Sequence, residues 1–253
     1  MNAPVNAPMN APMNALLQVA GVSKHFGGFT ALSNINLEVK AGERLGLIGP
    51  NGSGKTTLIN CVSGALKNDA GTITFKNENL NGLAPHQRTR RGIARSFQIP
   101  RPFHSMTPVE NLAVPLEYVT YRGVAHKHDI VGEAESILRD MGLGDKMHAS
   151  CAGLSQVELR KLELARAMAA RPALLISDEA MAGLSHAEVD EVLGILFKLS
   201  KTGITIIMIE HIMHAIMRFS ERVICLDAGQ LIAEGAPTEI VKNPEVRRAY
   251  LGA

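Results

Sequence analysis

Residues Gly49-Pro50-Asn51-Gly52-Ser53-Gly54-Lys55-Thr56 follow the apolar run Arg44-Leu45-Gly46-Leu47-Ile48 and lead into a helix-forming stretch from Gly54 towards Leu66. The spacing G-x-x-x-x-G-K-[ST] is that of a phosphate-gripping turn between a strand and a helix. Glycines let the backbone curl so that several N–H groups point inward at phosphate oxygens. The helix that follows adds the positive end of its dipole. In such a turn Lys55 reaches the β- and γ-phosphates of a nucleotide, and the Thr56 hydroxyl ligates Mg²⁺. The candidate contacts are therefore Gly49, Pro50, Asn51, Gly52, Ser53, Gly54, Lys55 and Thr56, with Thr57 next along. Asn51-Gly52-Ser53 also has the form of a glycosylation acceptor, but a sugar there would block the phosphates, and that reading is set aside.

A strand feeding such a turn implies an α/β core, and the rest of the chain agrees. Ala173-Leu174-Leu175-Ile176 is continuously apolar, and Ile204 to Ile209 is interrupted only by Thr205, as suits strands buried on both faces. Between them, Val189, Val192, Leu193, Leu196 and Leu199 recur at helical spacing, the mark of a core-facing stripe. Leu16 to Ala20 and Ile35 to Val39 alternate apolar and polar residues, which predicts half-buried strands of an antiparallel layer. Thr72 to Phe75 reads as a further strand, and Arg222 to Asp227 with Gln230 to Glu234 as a pair about Ala228-Gly229. Residues 100–170, punctuated by Pro100, Pro102, Pro108 and Pro115, read as a helical insertion. Strands alternating with helices predict a mainly parallel sheet with helices packed on it.

The run 173–176 ends in Ser177-Asp178-Glu179. In a sheet of this kind ligands sit beyond the carboxyl ends of the strands. Asp178 is then placed to hold Mg²⁺ through a water, and Glu179 to polarise an attacking water. An acidic pair after an apolar run is often only a solvated turn. Beside a phosphate turn it is the expected partner.

Composition excludes several other classes. Lys+Arg 26 against Asp+Glu 24 gives +2, too little charge for a nucleic-acid binder that works by phosphate neutralisation. Aromatic residues make up 4% with no Trp, which argues against a base-stacking single-strand binder. Cys61, Cys151 and Cys225 show no C-x-x-C spacing, so neither a zinc ribbon nor a disulfide framework is indicated. His211 with His214, and His126 with His128, lack the further ligands of a zinc site. No apolar run approaches the ~18 residues that span a bilayer. At the N-terminus Asn-Ala-Pro recurs from Asn2, Asn6 and Asn10. Repeated Pro withholds the N–H that helices and central strands need, so residues 1–15 read as a disordered tail and 16–253 as the folded domain.

With these residues in view, the chain resembles an ATP-binding-cassette (ABC) ATPase, a P-loop NTPase core with an antiparallel β layer and a helical subdomain. The order of shorter elements carries the likeness. Gln98, in Ala94-Arg95-Ser96-Phe97-Gln98, matches the Q-loop glutamine. Leu154-Ser155-Gln156-Val157-Glu158 stands at the signature motif, Ala182-Gly183-Leu184-Ser185 resembles the D-loop, and His211 matches the switch histidine. Phe26 stands where the family stacks an aromatic ring on adenine. The resemblance implies that ATP and Mg²⁺ are bound, with Thr56, Gln98 and Asp178 around the metal. It makes Glu179, His211, Gln98 and Lys55 the catalytic set. It also implies that Ser155 touches nucleotide held by a second subunit. The signature departs from Leu-Ser-Gly-Gly-Gln at Gln156, Val157 and Glu158, although Ser155 to Glu158 keeps the S-x-x-E form of a helix-capping box.

Within the family the chain is most similar to the ATP-binding subunits of branched-chain amino-acid importers. Phe26-Gly27-Gly28, Ile93 to Gln98, Ile209-Glu210-His211 and the stretch Asn243 to Gly252 within the C-terminal tail, 236–253, carry that likeness. It implies a second cassette, identical or different, two membrane permeases and a periplasmic or extracellular substrate-binding protein as partners, no nucleic acid, and a peripheral place on the cytoplasmic face of the plasma (inner) membrane. Importers of urea, amides or aromatic acids, a lipopolysaccharide-type exporter, and a soluble cassette acting in repair or translation stay open as alternatives.

Overall fold

The apolar runs form strands because both of their faces are covered. The structure, a computed structural model, describes residues 15–97, 100–123 and 129–251. The Asn-Ala-Pro repeats, Gln98, His126 and His128 lie outside these residues. In chain order, the hairpin β1 (Ala15–Phe26) and β2 (Phe29–Lys40) precedes β3 (Arg44–Ile48), the phosphate turn and α1 (Lys55–Ser63). The short strands β4 (Ala70–Phe75) and β5 (Glu78–Asn79) follow, then α2 (Pro85–Arg90) and β6 (Ile93–Ser96). A helical stretch comes next, with α3 (Pro108–Pro115), α4 (Ile130–Asp140) and α5 (Gln156–Ala169). The chain then alternates through β7 (Leu174–Asp178), α6 (His186–Lys201), β8 (Thr205–Ile209), α7 (Met213–Phe219) and β9 (Arg222–Asp227). β10 (Gln230–Gly235), α8 (Pro237–Ile240) and α9 (Pro244–Leu251) complete it.

Two sheets result. One is antiparallel, ordered β2-β1-β4-β5; the other is six-stranded, ordered β10-β9-β3-β8-β7-β6. In the larger sheet β9, β3, β8, β7 and β6 are parallel, and β10 pairs antiparallel at the edge. The first strand starts at Ala15, opposite Lys40, one residue inside the segment that composition assigned to the tail. Pairing, which composition does not report, sets that boundary.

Alternation within the parallel strands explains their unbroken hydrophobicity. Leu174, Ile176, Ile207, Ile209, Ile224 and Leu226 face the antiparallel layer and α1. Leu175, Ile206, Met208, Val223 and Cys225 face the other way, against α5, α6 and α7. The middle of each of these strands is thus apolar on both sides, because both faces are removed from water, and the polar residues stand towards the strand ends. Capping boxes start three of the helices: Thr107 with Glu110, Ser155 with Glu158, and Ser185 with Glu188.

Candidate nucleotide site

Register brings the chemistry together. Leu47 on β3 is level with Ile209 on β8, and Ile209 is level with Asp178 on β7. The residues beyond that row emerge side by side at the carboxyl edge of the sheet: Gly49 and its turn, Glu210-His211, and Glu179. No sequence spacing encodes this adjacency; parallel pairing does.

The turn is shaped by close approach. At Gly49 (φ +150°) a Cβ would stand 2.2 Å from the Leu226 carbonyl oxygen, and at Gly54 (φ +104°) 2.7 Å from that of Ala31. A side chain fits neither position. The loop is also tied to its surroundings. Gly229 N–H donates to Ser53 O at 3.0 Å, and Gly49 N–H donates to the Tyr250 hydroxyl at 2.8 Å. Lys55 lies buried along the loop, and its Nζ donates to the carbonyl oxygens of Gly49 and Pro50 at 2.7 and 2.9 Å. Burial pushes its amine below the usual lysine range, while Glu179, Cys225 and Asp178 nearby pull it back up. Ser53 Oγ is buried with no hydrogen-bond partner among the described residues. A buried hydroxyl left unmatched inside a phosphate turn fits a loop built to surround an oxyanion.

Glu179 sits just past β7 with φ +47°, a left-handed conformation that costs a non-glycine residue about 1 kcal/mol. Its N–H donates to Ile209 O at 2.9 Å, which holds the bend against β8. One carboxylate oxygen meets His211 Nε2 at 3.0 Å. Asp178, only slightly exposed, accepts from Arg95 Nη2 at 2.5 Å. The Asp178 carboxylate and the Thr56 hydroxyl line one cleft, and oxygen donors of this kind suit a hard divalent ion.

Two clefts meet here. One, of about 250 Å³, runs from Phe26 across residues 51–57 to Glu179 and His211. The other, of about 400 Å³, holds Asp178, Arg95 and Phe97, and shares Thr56 and Glu179 with the first. Phe26 is 48% exposed at the rim of the smaller cleft. The sequence-predicted residues are thus gathered in one place, with two exceptions. Gln98 lies outside the described residues. Ser155 caps α5 and lines neither cleft.

At that cap Ser155 N–H donates to a Glu158 carboxylate oxygen at 2.8 Å, and Glu158 N–H to Ser155 Oγ at 3.3 Å. The backbone bond holds the Glu158 carboxyl below its ordinary range, so this helix end carries a negative charge at neutral pH. Gln156 Nε2 and Arg160 Nη2 both donate to Ala182 O, at 3.3 and 3.2 Å, tying the segment after Glu179 to α5.

Sequence reasoning missed four participants: Arg95, Asn60, Glu210 and Tyr250. For Arg95 there was a signal, a charged residue inside the otherwise compact strand Ile93-Ala94-Arg95-Ser96. Glu210 is buried, and its carboxylate accepts the Met181 N–H at 2.9 Å. Burial first, and then the neighbouring charge of Glu179, raises its carboxyl to about 7. Nothing in the sequence announces Tyr250, which reaches the loop from 201 residues away.

Comparison with known proteins gives a consistent result. Residues 32–182 match the family model described as ABC transporter. Residues 230–253 match that of the branched-chain amino acid ATP-binding cassette transporter. The chain is 36% identical over 246 residues to the probable branched-chain amino acid transport ATP-binding protein LivG of Archaeoglobus fulgidus, covering 94% of this chain and 96% of that one. To the high-affinity branched-chain amino acid transport ATP-binding protein LivG of Escherichia coli K12 it is 37% identical over 249 residues, covering 94% and 98%. The crystal structure of a nucleotide-free ATP-binding cassette from an ABC transporter superposes with a TM-score of 0.85 at 30% identity, covering 94% of this chain and all of that one.

Proposed function

The chain belongs to the ABC transporter family as an ATP-binding subunit, and from that premise we propose that it binds Mg–ATP in the joined clefts and hydrolyses it to power import of branched-chain amino acids. The observation that carries the site reading is the convergence of the phosphate turn, Asp178 and the Glu179–His211 pair on one edge of the sheet. The amino-acid reading rests on the LivG relatives and on the C-terminal family match.

Each residue has a distinct task in this proposal. Lys55 leaves the two loop carbonyls that hold it and takes the β- and γ-phosphate oxygens in their place. The N–H groups of the turn and of the start of α1 surround the phosphates. Thr56 and Asp178, with Gln98, hold the metal ion, which when bound neutralises phosphate charge. Glu179 polarises the attacking water, and His211 orients that carboxylate through the 3.0 Å contact. Phe26 offers a ring face to the adenine. Ser155, outside the clefts of its own chain, serves the nucleotide of a second cassette, so two cassettes form the working unit.

The proposed seat for a permease segment is an apolar groove of about 470 Å³ between the helical stretch and β6, whose lining includes Phe97 and Tyr118, 50% and 65% exposed. Exposed aromatic side chains gathered in a groove suit a protein partner. A substrate-binding protein completes the proposed importer, and the chain would sit peripherally on the cytoplasmic face of the membrane. Among the described residues no helix is long and apolar enough to cross a bilayer.

Glu179→Gln tests the site. The expected outcome is retained ATP binding with phosphate release slowed about a thousandfold. Hydrolysis at the wild-type rate would remove Glu179 from its role. Pull-down of the chain from a detergent extract, followed by identification of the attached permeases, tests the transport reading.

A further inference from the structure

Arg95 stands where the two cavities adjoin, lining both the cleft of Asp178 and Glu179 and the apolar groove. It projects from β6, whose Ser96 is level with Ser177 on β7. Its planar head makes two short bonds, Nη2 to Asp178 Oδ2 at 2.5 Å and Nη1 to Asn60 Oδ1 at 2.6 Å. Asn60 lies on α1, the helix that the phosphate turn begins. The guanidinium also rests over the Phe97 ring, 5.4 Å from its centroid, and Phe97 lines the groove. One side chain therefore connects the carboxylate past the phosphate turn, the helix after that turn and an aromatic wall of the groove.

We propose that Arg95 is the resident counter-ion of Asp178 and competes with the divalent metal for it, so that loading metal with nucleotide displaces the guanidinium and changes its stacking on Phe97. The inference rests on the reading of Asp178 as a metal-holding carboxylate. The physical grounds are independent of that reading. The Asp178 and Arg95 side chains are only 10% and 11% exposed, and a carboxylate so placed needs a partner charge, because an uncompensated buried charge is strongly unfavourable. A divalent cation brought to the same oxygens would meet a fixed positive charge, and two cations sharing one carboxylate repel. Arg95 has somewhere to go. Its Asn60 contact does not depend on Asp178, and the groove beside Phe97 is open.

Two consequences follow for measurement. Removing the Arg95 charge raises metal affinity, whereas a side chain that only propped up the fold would leave it unchanged or lower it. Metal, and not nucleotide alone, alters the surroundings of residue 97. Because the chain contains no Trp, Phe97→Trp supplies a single fluorescent reporter.

The experiment uses the full chain with ADP and Mn²⁺. Free Mn²⁺ is followed by electron paramagnetic resonance for wild type, Arg95→Met and Arg95→Gln, each first shown to melt cooperatively. Expected is an increase in Mn²⁺ affinity of about tenfold in the neutral variants. In the Phe97→Trp chain, emission should change on adding Mg²⁺ and ADP together and stay constant with ADP in chelator. Affinity within about twofold of wild type overturns the proposal, as does an emission change produced equally by metal-free ADP. Should neither Arg95 variant fold, the Phe97→Trp measurement decides by itself, since it leaves Arg95 in place. Asp178→Asn separates the two levels of inference. If it binds Mn²⁺ as tightly as wild type, the assignment of the metal site fails. If it loses Mn²⁺ while the Arg95 variants behave as wild type, only the competition fails.

Discussion

Glu210→Gln should change how stability depends on pH, and the size of the change can be worked from the site. Glu210 follows β8, is 2% exposed, and accepts the Met181 N–H. Burial raises its carboxyl from the ordinary 4.5 to about 7. Below pH 4.5 the group is protonated in both the folded and the unfolded chain, and its contribution to stability is fully present. Between 4.5 and 7 the unfolded chain gives up the proton first, so stability falls as pH rises, and the loss is complete above 7. The full difference is about 3 kcal/mol at about 1.4 kcal/mol per pH unit. Solvent screening takes little from it because the group is buried. Of this, about 2.5 kcal/mol falls between pH 5 and pH 8. Glutamine stays neutral, and its amide oxygen can still accept from Met181 N–H. Urea unfolding of both proteins at half-unit steps from pH 5 to pH 8 should therefore show the variant gaining on wild type by that amount. Curves that run parallel would refute the reasoning, because they would mean that Glu210 titrates alike in the folded and unfolded chains.

Two further outcomes follow from the same geometry. Gly49→Ala places a Cβ 2.2 Å from the Leu226 carbonyl oxygen and 2.6 Å from Ser53 Oγ; a loss of more than about 3 kcal/mol is expected in urea unfolding without nucleotide, and a wild-type midpoint would show that the loop has room to move. Phe26→Ala should weaken nucleotide binding about tenfold, the worth of one base–aromatic stack, in a fluorescence titration, while its melting temperature stays near wild type because the ring is half exposed.

How much of this was legible in the sequence depended on which force shapes each element. β3 and β9 have the boundaries that the pattern predicted, Arg44–Ile48 and Arg222–Asp227, because their buried interiors are apolar on both faces and charged residues stand only at their ends. The Ser155–Glu158 box was legible because a cap is a local bond between residues three apart. β6 was not predicted as a strand. It is four residues long with an arginine in it, and it is stabilised by pairing with β7 rather than by its own pattern. α9 escaped for a similar reason, since Pro-Glu-Val-Arg-Arg-Ala-Tyr-Leu shows no clean apolar stripe. In the site, motif spacing located the phosphate turn and the acidic pair. The contact of Glu179 with His211, and that of Asp178 with Arg95, are products of strand order. They become visible only once β6, β7 and β8 stand side by side.

The bond from Gly49 N–H to the Tyr250 hydroxyl gives the order of synthesis a role. The nucleotide loop leaves the ribosome early, yet it lacks this brace until α9 has been translated. A chain interrupted before Tyr250 would carry the whole phosphate turn and yet leave its cradle unsupported, so α9 vouches for a loop 201 residues before it.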